Sequence, residues 1–230
     1  MYLFLSNKKP QEQSLLWGKI KEQKTRENID LIDSLSLYIS GSGKKNLEEK
    51  LAVSILLFSA LEYLKNEGVV RKLGVLKKTS LGRPYLDGGD VDISISHTGD
   101  YVLIGISVGA EIGVDIEHKI DEGRAENLEK RFFEGIDFSQ KLKDKSYGDN
   151  IRCFEFSRGE FCMVSLFPAE DDFTAKWTLT EAIMKCDGRG FSSLHSVSQL
   201  AEKMELGSYV FNENRKNIYI SVAKKSKKER

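Results

Sequence analysis

The chain has few prolines, few cysteines and no excess of either charge. Its 230 residues include 3 prolines, 3 cysteines and 3 histidines, and 35 basic residues balance 35 acidic ones. A formal net charge of zero gives no support to a nucleic-acid, membrane or acidic partner from overall charge. The plainest local cluster is the basic segment 224–230, which we expect to be a disordered tail.

Metal-binding cysteine patterns and long apolar runs are also missing. Cys153, Cys162 and Cys186 form no CxxC pair, and their odd number favours reduced thiols in a reducing compartment. Cys153 and Cys162 could face each other across a hairpin, but we expect two buried thiols. The apolar start, residues 1–5, is too short for a signal peptide or a membrane span. These features predict a soluble, cytoplasmic protein with neither a membrane nor a nucleic-acid partner.

Helical periodicity is present in several parts of the chain. Apolar residues recur at helical spacing through 11–40, and a helix follows from a cap at Asn46 to about Lys65. Further helices are predicted over 121–133 and 174–186, the second closed by a glycine.

A two-residue period appears in the middle of the chain. Ile93 and Ile95 alternate with serines, and apolar strands follow at 101–108 and 112–117. Short glycine-containing turns separate these strands, which predicts an antiparallel meander.

The order of elements predicts the domain organisation. Two more hairpins are expected, over 151–167 and 209–222. Helices followed by strands therefore occur twice, in an N-terminal lobe 1–117 and a C-terminal lobe 118–223. The predicted fold is α+β with two similar lobes.

Two carboxylates share one face of the predicted strand 112–117. Ile112, Val114 and Ile116 point into the core, so Asp115 and Glu117 lie on the opposite face about 7 Å apart. Two solvated acids on an exposed strand are the commoner outcome of such a pair, and a metal site is the alternative.

A third carboxylate and a lysine follow one stripe of the helix 174–186. Trp177, Glu181 and Lys185 are spaced i, i+4 and i+8, and by themselves Glu181 and Lys185 are an ordinary surface pair. Combined with the strand acids, they suit Mg²⁺, which takes oxygen ligands and keeps several waters. The histidine and cysteine spacing that zinc requires is absent. Lys185 and His97 would face phosphate charge, although a turn histidine such as His97 is more often simply hydrogen-bonded.

Several blocks of the sequence, in this order, resemble the 4′-phosphopantetheinyl transferases of the longer, two-lobed Sfp-like class. The resemblance covers about residues 82–133 and 174–192. The matching blocks are Gly82-Arg83-Pro84-Tyr85, Ile93-Ser94-Ile95-Ser96-His97-Thr98-Gly99, Ile112-Gly113-Val114-Asp115-Ile116-Glu117, Lys130-Arg131-Phe132-Phe133, and Trp177 to Lys185 with Gly188-Arg189-Gly190.

The resemblance implies two lobes in a pseudo-twofold arrangement with the active site between them. It also implies transfer of the 4′-phosphopantetheine group from coenzyme A to a serine of a carrier protein, which converts apo- to holo-carrier protein. Asp115, Glu117 and Glu181 would hold Mg²⁺, with Mn²⁺ as an alternative. Either Glu181 or a metal-bound water would take the serine proton.

The remaining implied roles concern coenzyme A. Lys185 and His97 would neutralise phosphate oxygens as charge moves to the leaving group, adenosine 3′,5′-bisphosphate. Arg83, Pro84 and Ser96 would cradle the nucleotide end.

The resemblance further implies a monomer that receives an acidic acyl, polyketide or peptidyl carrier domain in fatty-acid, polyketide or nonribosomal peptide synthesis. Arg131, Phe132 and Phe133, together with the segment 141–145, are the candidate docking surface. The other interpretation is a helix end packed on the second lobe. The segment 134–173 is longer than in many relatives.

Two departures from the family pattern motivate an alternative function. Thr180 stands where the family helix has a lysine, and Ser54 stands near the position of a family arginine. The alternative is a degenerate member that binds coenzyme A or a carrier protein without catalysis. If the transferase interpretation is right, Thr180→Lys is expected to hold or raise turnover. A metal-dependent phosphohydrolase or nuclease built on the same carboxylates is the more distant alternative.

Overall fold

The structure is a computed structural model, and it describes residues 1–8, 10–41, 43, 46–133, 151–170, 172–213 and 216–226. The helices are α1 (Pro10–Glu22), α2 (Ile29–Ser40), α3 (Leu47–Asn66), α4 (Glu122–Phe132), α5 (Phe173–Asp187) and α6 (Val197–Ala201), with a 3-10 helix at Gly190–Ser196. The strands are β1 (Tyr2–Asn7), β2 (Val75–Lys78), β3 (Pro84–Asp87), β4 (Val91–Thr98), β5 (Tyr101–Val108), β6 (Ala110–His118), β7 (Arg152–Ser157), β8 (Glu160–Val164), β9 (Phe167–Pro168), β10 (Glu205–Glu213) and β11 (Lys216–Ser226). The mixed α+β class and the predicted helices are confirmed.

In the described ranges, the strands form two larger sheets and one small hairpin. The first sheet has the order β4-β5-β1-β7-β8, the second has the order β6-β11-β10-β9, and β2 pairs with β3. In the first sheet β1 runs parallel to β7 and antiparallel to β5. The described part of the chain contains no helix that is long and apolar enough to cross a membrane.

The two sheets pack face to face between layers of helices. Leu3 and Leu5 of β1 join Val114 in a central core between the sheets. Phe4, which points to the other face of β1, packs in a separate core with the helices α1, α2 and α3. Because both faces of β1 and β5 are buried, these strands are apolar along almost their whole length.

Helix α5 covers the outer face of the second sheet and lies very close to β6. It begins at the N-cap Asp172, whose side chain accepts a hydrogen bond from the Ala175 N–H, and ends at Gly188 with φ +80°. A Cβ added at Gly113 of β6 would lie 2.0 Å from the Ala182 carbonyl oxygen and 2.4 Å from the Cys186 nitrogen. The glycine therefore sets the close approach of helix and strand.

The predicted meander is only partly correct. The hairpin β4–β5 is confirmed, but β6 pairs with β11 in the second sheet instead of with β5. Conversely, β7 and β8 join the first sheet through β1. The sheets therefore exchange strands across residue 117, the predicted lobe boundary.

The C-terminal segment and the cysteines also differ from expectation. Residues 224–226 belong to β11, so this part of the predicted tail is ordered, while 227–230 lie outside the described residues. The hairpin β7–β8 is confirmed, but its register places Cys153 opposite Val164 and not opposite Cys162. Cys153 is a buried thiol as predicted, whereas Cys162 is exposed.

Candidate active site

A row of polar side chains on β4 faces the free edge of β6. The side chains of Asp92, Ser94, Ser96 and Thr98 make up this row, which we name the polar seam. The N–H of Ile112 donates to Asp92 Oδ2 at 2.8 Å, the N–H of Val114 to Ser94 Oγ at 3.0 Å, and the N–H of Ile116 to Ser96 Oγ at 3.4 Å. Because β11 covers only the other edge of β6, these side chains satisfy strand donors that would otherwise stay unpaired.

Asp115 lies where the polar seam meets helix α5. Its Oδ1 accepts hydrogen bonds from Ser96 Oγ and from Lys185 Nζ, both at 2.6 Å. Lys185 Nζ also lies 2.9 Å from Ser96 Oγ and 3.8 Å from Glu181 Oε2. The expectation that Asp115 could face solvent is wrong, because β4 and α5 cover it and leave the residue 3% exposed.

The other two predicted metal ligands flank this contact. Glu117 Oε1 accepts a hydrogen bond from Thr98 Oγ1 at 2.8 Å, at the end of the polar seam. Burial, and then the negative charge of Asp115, raise the pKa of Glu181 to about 7, with Glu117 adding to the rise and Lys185 opposing it. The structure therefore brings the three predicted acids close enough to interact electrostatically. The single positive charge of Lys185 does not neutralise their combined negative charge.

An excess of carboxylate charge fits a divalent cation that prefers oxygen ligands. In the part of the chain that the structure describes, no three acidic, histidine or cysteine side chains are already arranged as metal ligands. The Lys185 ammonium instead contacts both Asp115 and Glu181. The donor chemistry therefore suits Mg²⁺, provided that Lys185 moves from the carboxylates to another anion.

His97 points away from the polar seam, because neighbouring residues of a strand face opposite sides. Its Nε2 lies 3.1 Å from Glu49 Oε1 of α3, and Glu49 also pairs with Lys8 at 3.6 Å. Burial lowers the pKa of His97, the positive charges of Lys8 and Lys185 lower it further, and Glu49 opposes the shift. An acidic partner for His97 was not predicted from the sequence.

The residues predicted to hold the nucleotide separate into two places. Arg83 and Pro84 line a cleft of about 240 Å³ that also includes Lys185 and Gly188. Arg83 Nη2 contacts Asp92 Oδ2 at 2.6 Å and the Ile112 carbonyl at 3.1 Å, so the guanidinium ties β3 to the polar seam. Ser96 instead contacts Asp115 and Lys185, as described above.

The two departures from the family pattern lie in the core. Thr180 is fully buried and donates its hydroxyl hydrogen to the Lys176 carbonyl at 2.8 Å. A lysine at this position would have to bury its ammonium, so Thr180→Lys should lower stability. Ser54 is also fully buried, and the α3 side chain that reaches the site is Glu49.

The candidate docking surface is mostly a packing contact. Phe133 is 6% exposed and stacks edge-on against Phe173, and Phe132 contacts Trp177 with ring centroids 5.7 Å apart. Arg131 lies over the Phe132 ring at 4.9 Å. This arrangement matches the alternative interpretation of a packed helix end, and the segment 141–145 lies outside the described residues.

Sequence reasoning missed Asp92, Thr98 and Glu49 as parts of the site. The two-residue period of β4 could have found the first two, since it places Asp92, Ser94, Ser96 and Thr98 on one face. No sequence pattern identifies Glu49, because its contact with β4 depends on how α3 packs on the first sheet.

Comparison with protein-family models gave no match to this chain. No curated protein is significantly similar to it in sequence.

Proposed function

We propose that this protein transfers the 4′-phosphopantetheine group from coenzyme A to a serine of a carrier protein. The observation that carries the proposal is the contact of Asp115 with Lys185 at 2.6 Å, with Glu181 and Glu117 beside it. These residues come from β6 and α5, and they are the ones that the resemblance to phosphopantetheinyl transferases implies. The proposal includes a two-lobed, pseudo-twofold fold with the site between the lobes.

The acids have a defined part in this proposal. Asp115, Glu117 and Glu181 would hold Mg²⁺, which when bound offsets the charge of the coenzyme A pyrophosphate. Glu181, whose side chain is 24% exposed, accepts the proton of the attacking serine hydroxyl. The serine oxygen then bonds to phosphorus, and the pyrophosphate P–O bond breaks to release adenosine 3′,5′-bisphosphate.

Lys185 and His97 act on the phosphates. Lys185 leaves Asp115 and donates to phosphate oxygens, since its side chain is 31% exposed on the side of the Arg83 cleft. His97 already contacts Glu49, so a phosphate that reaches His97 also comes close to the Glu49 carboxylate. The site therefore balances phosphate against internal carboxylates for the Lys185 ammonium.

Intact-protein mass spectrometry tests the proposal directly. An apo-acyl carrier protein is incubated with the chain, coenzyme A and Mg²⁺, with and without chelator. We expect a gain of one phosphopantetheine that the chelator abolishes. No gain on acyl, polyketide or peptidyl carrier proteins would overturn the transferase proposal. Retained coenzyme A binding in that case would favour the degenerate binding protein.

A stability measurement tests the metal assignment without turnover. The folded-state pKa of Glu181, about 7, lies above its ordinary value of 4.5, so its contribution to the free energy of unfolding is lost as pH rises through 7. Mg²⁺ should reverse this loss because it binds the deprotonated carboxylates.

We therefore expect Mg²⁺ to raise the melting temperature more at pH 8 than at pH 6. The Glu181→Gln variant is the control, in which this pH difference should largely disappear. An equal Mg²⁺ effect at both pH values in the unmodified protein would contradict the assignment.

A further inference from the structure

The ammonium of Lys185 lies among oxygen atoms at the centre of the candidate active site. Its Nζ is 2.6 Å from Asp115 Oδ1, 2.9 Å from Ser96 Oγ and 3.8 Å from Glu181 Oε2. Three oxygen neighbours match the three N–H donors of an ammonium group. Within the described residues, no other cation forms an ion pair with Asp115 or Glu181. Lys185 is therefore the internal counter-ion of these two carboxylates.

A divalent cation that binds the same carboxylates must compete with this ammonium. Asp115 is 3% exposed between β4 and α5, so its carboxylate has little room to turn towards a second position. Any cation held by Asp115 and Glu181 would lie next to the Lys185 ammonium, which already contacts both. Like charges at such close range repel strongly in a partly buried site. Mg²⁺ therefore binds most favourably after Lys185 has left.

Asp115 keeps a hydrogen bond when Lys185 leaves. Ser96 Oγ donates to the same Oδ1 atom at 2.6 Å, and Ser96 is itself buried in the polar seam. What Asp115 loses is a counter-ion, and a buried carboxylate without one destabilises the folded protein. A divalent cation restores the charge balance, which the neutral serine hydroxyl cannot do.

Lys185 can move without a change in the backbone. Its side chain is 31% exposed and lines the cleft of about 240 Å³ that Arg83 and Pro84 also line. A lysine carries its charge on a flexible four-carbon stem, so rotation about side-chain bonds can carry the ammonium into the cleft. Arg83, by contrast, is held by Asp92 Oδ2 and by the Ile112 carbonyl. Of these two cations, Lys185 is the better placed to change its partner when an anion enters.

We propose that Lys185 takes the place of the divalent cation in the free protein and couples metal binding to pyrophosphate binding. The metal must displace the ammonium from Asp115 and Glu181, and a pyrophosphate in the cleft receives that ammonium. Each ligand therefore makes binding of the other more favourable, and the coupling is reciprocal. The inference rests on the proposed function, from which it takes the metal and the pyrophosphate.

Reductive methylation of lysine side chains, mapped by mass spectrometry, tests the displacement directly. In the metal-free protein Lys185 donates to Asp115 and Ser96, so it should react slowly. Saturating Mg²⁺, without coenzyme A, should increase its rate about tenfold because the ammonium moves to solvent. Lys176 of the same helix has no ion pair among the described residues, and as the internal control it should keep its rate. An unchanged Lys185 rate in saturating Mg²⁺ would overturn the proposal.

Titration calorimetry with Mg²⁺ alone compares the unmodified protein with Lys185→Met. Methionine keeps an unbranched apolar stem without the charge, so the variant lacks the competing cation. It should have a lower melting temperature without metal, since Asp115 loses its partner, yet bind Mg²⁺ about tenfold more tightly. Lys176→Met is the matched control and should leave Mg²⁺ affinity unchanged. Equal or weaker Mg²⁺ binding by Lys185→Met would contradict the assigned competition.

Coenzyme A, added without a carrier protein, measures the coupling. It should increase the Mg²⁺ affinity of the unmodified protein, partly through direct contact between metal and pyrophosphate. Lys185→Met retains that direct part, so the increase should be about tenfold smaller in the variant. The same increase in both proteins would overturn the coupling and leave the proposed function standing. Failure of coenzyme A to bind the unmodified protein would overturn both.

Discussion

The central core and the polar seam connect the same two sheets by different means. In the central core, the side chains of residues such as Leu3 and Val114 are fully buried in one apolar cluster. Along the polar seam, side-chain oxygens of β4 accept from the backbone of β6 at fixed distances. Apolar packing tolerates changes of shape at the cost of stability, whereas the directional bonds of the seam fix the positions of individual atoms.

This difference explains where the candidate active site lies. Asp115 is held by Ser96 of the seam on one side and by Lys185 of α5 on the other. The central core contributes stability through apolar burial, and the seam fixes the geometry of the site. Substitutions in the two regions should separate these contributions.

The largest expected effect is that of Asp115→Ala in the seam. It should abolish phosphopantetheine transfer and also lower the free energy of unfolding by about 3 kcal/mol, because Lys185 and Ser96 lose a buried partner. Chemical denaturation and the carrier-protein mass assay measure the two losses. Normal turnover in this variant would contradict the assigned site, and an unchanged denaturation midpoint would contradict its burial.

Leu3→Ala in the central core is the matched comparison. Leu3 is fully buried, so a cavity should lower the free energy of unfolding by about 3 kcal/mol. Transfer per folded molecule should stay within about twofold, since Leu3 lies on β1 and β5 separates it from the seam. Loss of transfer at a temperature where the variant remains folded would show that the two regions are not separable.

Ser94→Ala tests one bond of the seam. The Val114 N–H would lose its acceptor, and we expect a loss of about 1 kcal/mol in the free energy of unfolding. Ser192→Ala, at an exposed serine, is the control and should change stability by less than about 0.5 kcal/mol. Equal effects of the two substitutions would mean that the Ser94 bond contributes no more to stability than an exposed serine hydroxyl does.

The smallest expected effect comes from Glu49→Gln, at the other side of β4. Removing the negative charge beside His97 should lower the KM for coenzyme A about threefold at low salt, with little change in kcat. Glu48→Gln, on the neighbouring exposed residue, should leave KM unchanged. A rise in KM for the first variant would mean that Glu49 supports coenzyme A binding through His97.

The periodicity of single elements was predictable from the sequence, but their partners were not. The apolar pattern of α5 and the closing Gly188 were sufficient to predict that helix. The alternation in β6 identified the face of the strand that packs in the core. The same alternation is compatible with pairing to β5 or to β11. That choice depends on long-range packing, which a local period does not encode.

The burial of Asp115 was unpredictable for the same reason. The alternation in β6 only places the Asp115 side chain on the face opposite to that of Val114. Whether that face is exposed to solvent depends on two other elements, β4 and α5. The buried positions of Thr180 and Ser54 follow from the packing of α5 and α3. Both side chains therefore belong to the core, which the sequence pattern did not indicate. The hairpins and helices that lie next to each other in the chain were easier to predict, because neighbouring residues determine them.

The pairing of β6 with β11 determines when the protein becomes complete during synthesis. Ile116 faces Ile220 in this pair, so most of the chain must leave the ribosome before β6 gains its partner strand. Until then the segment around Asp115 is an open strand edge with a carboxylate beside it, and such edges are prone to wrong association. The acidic residues of the site would also keep this strand edge soluble until β11 has been synthesised.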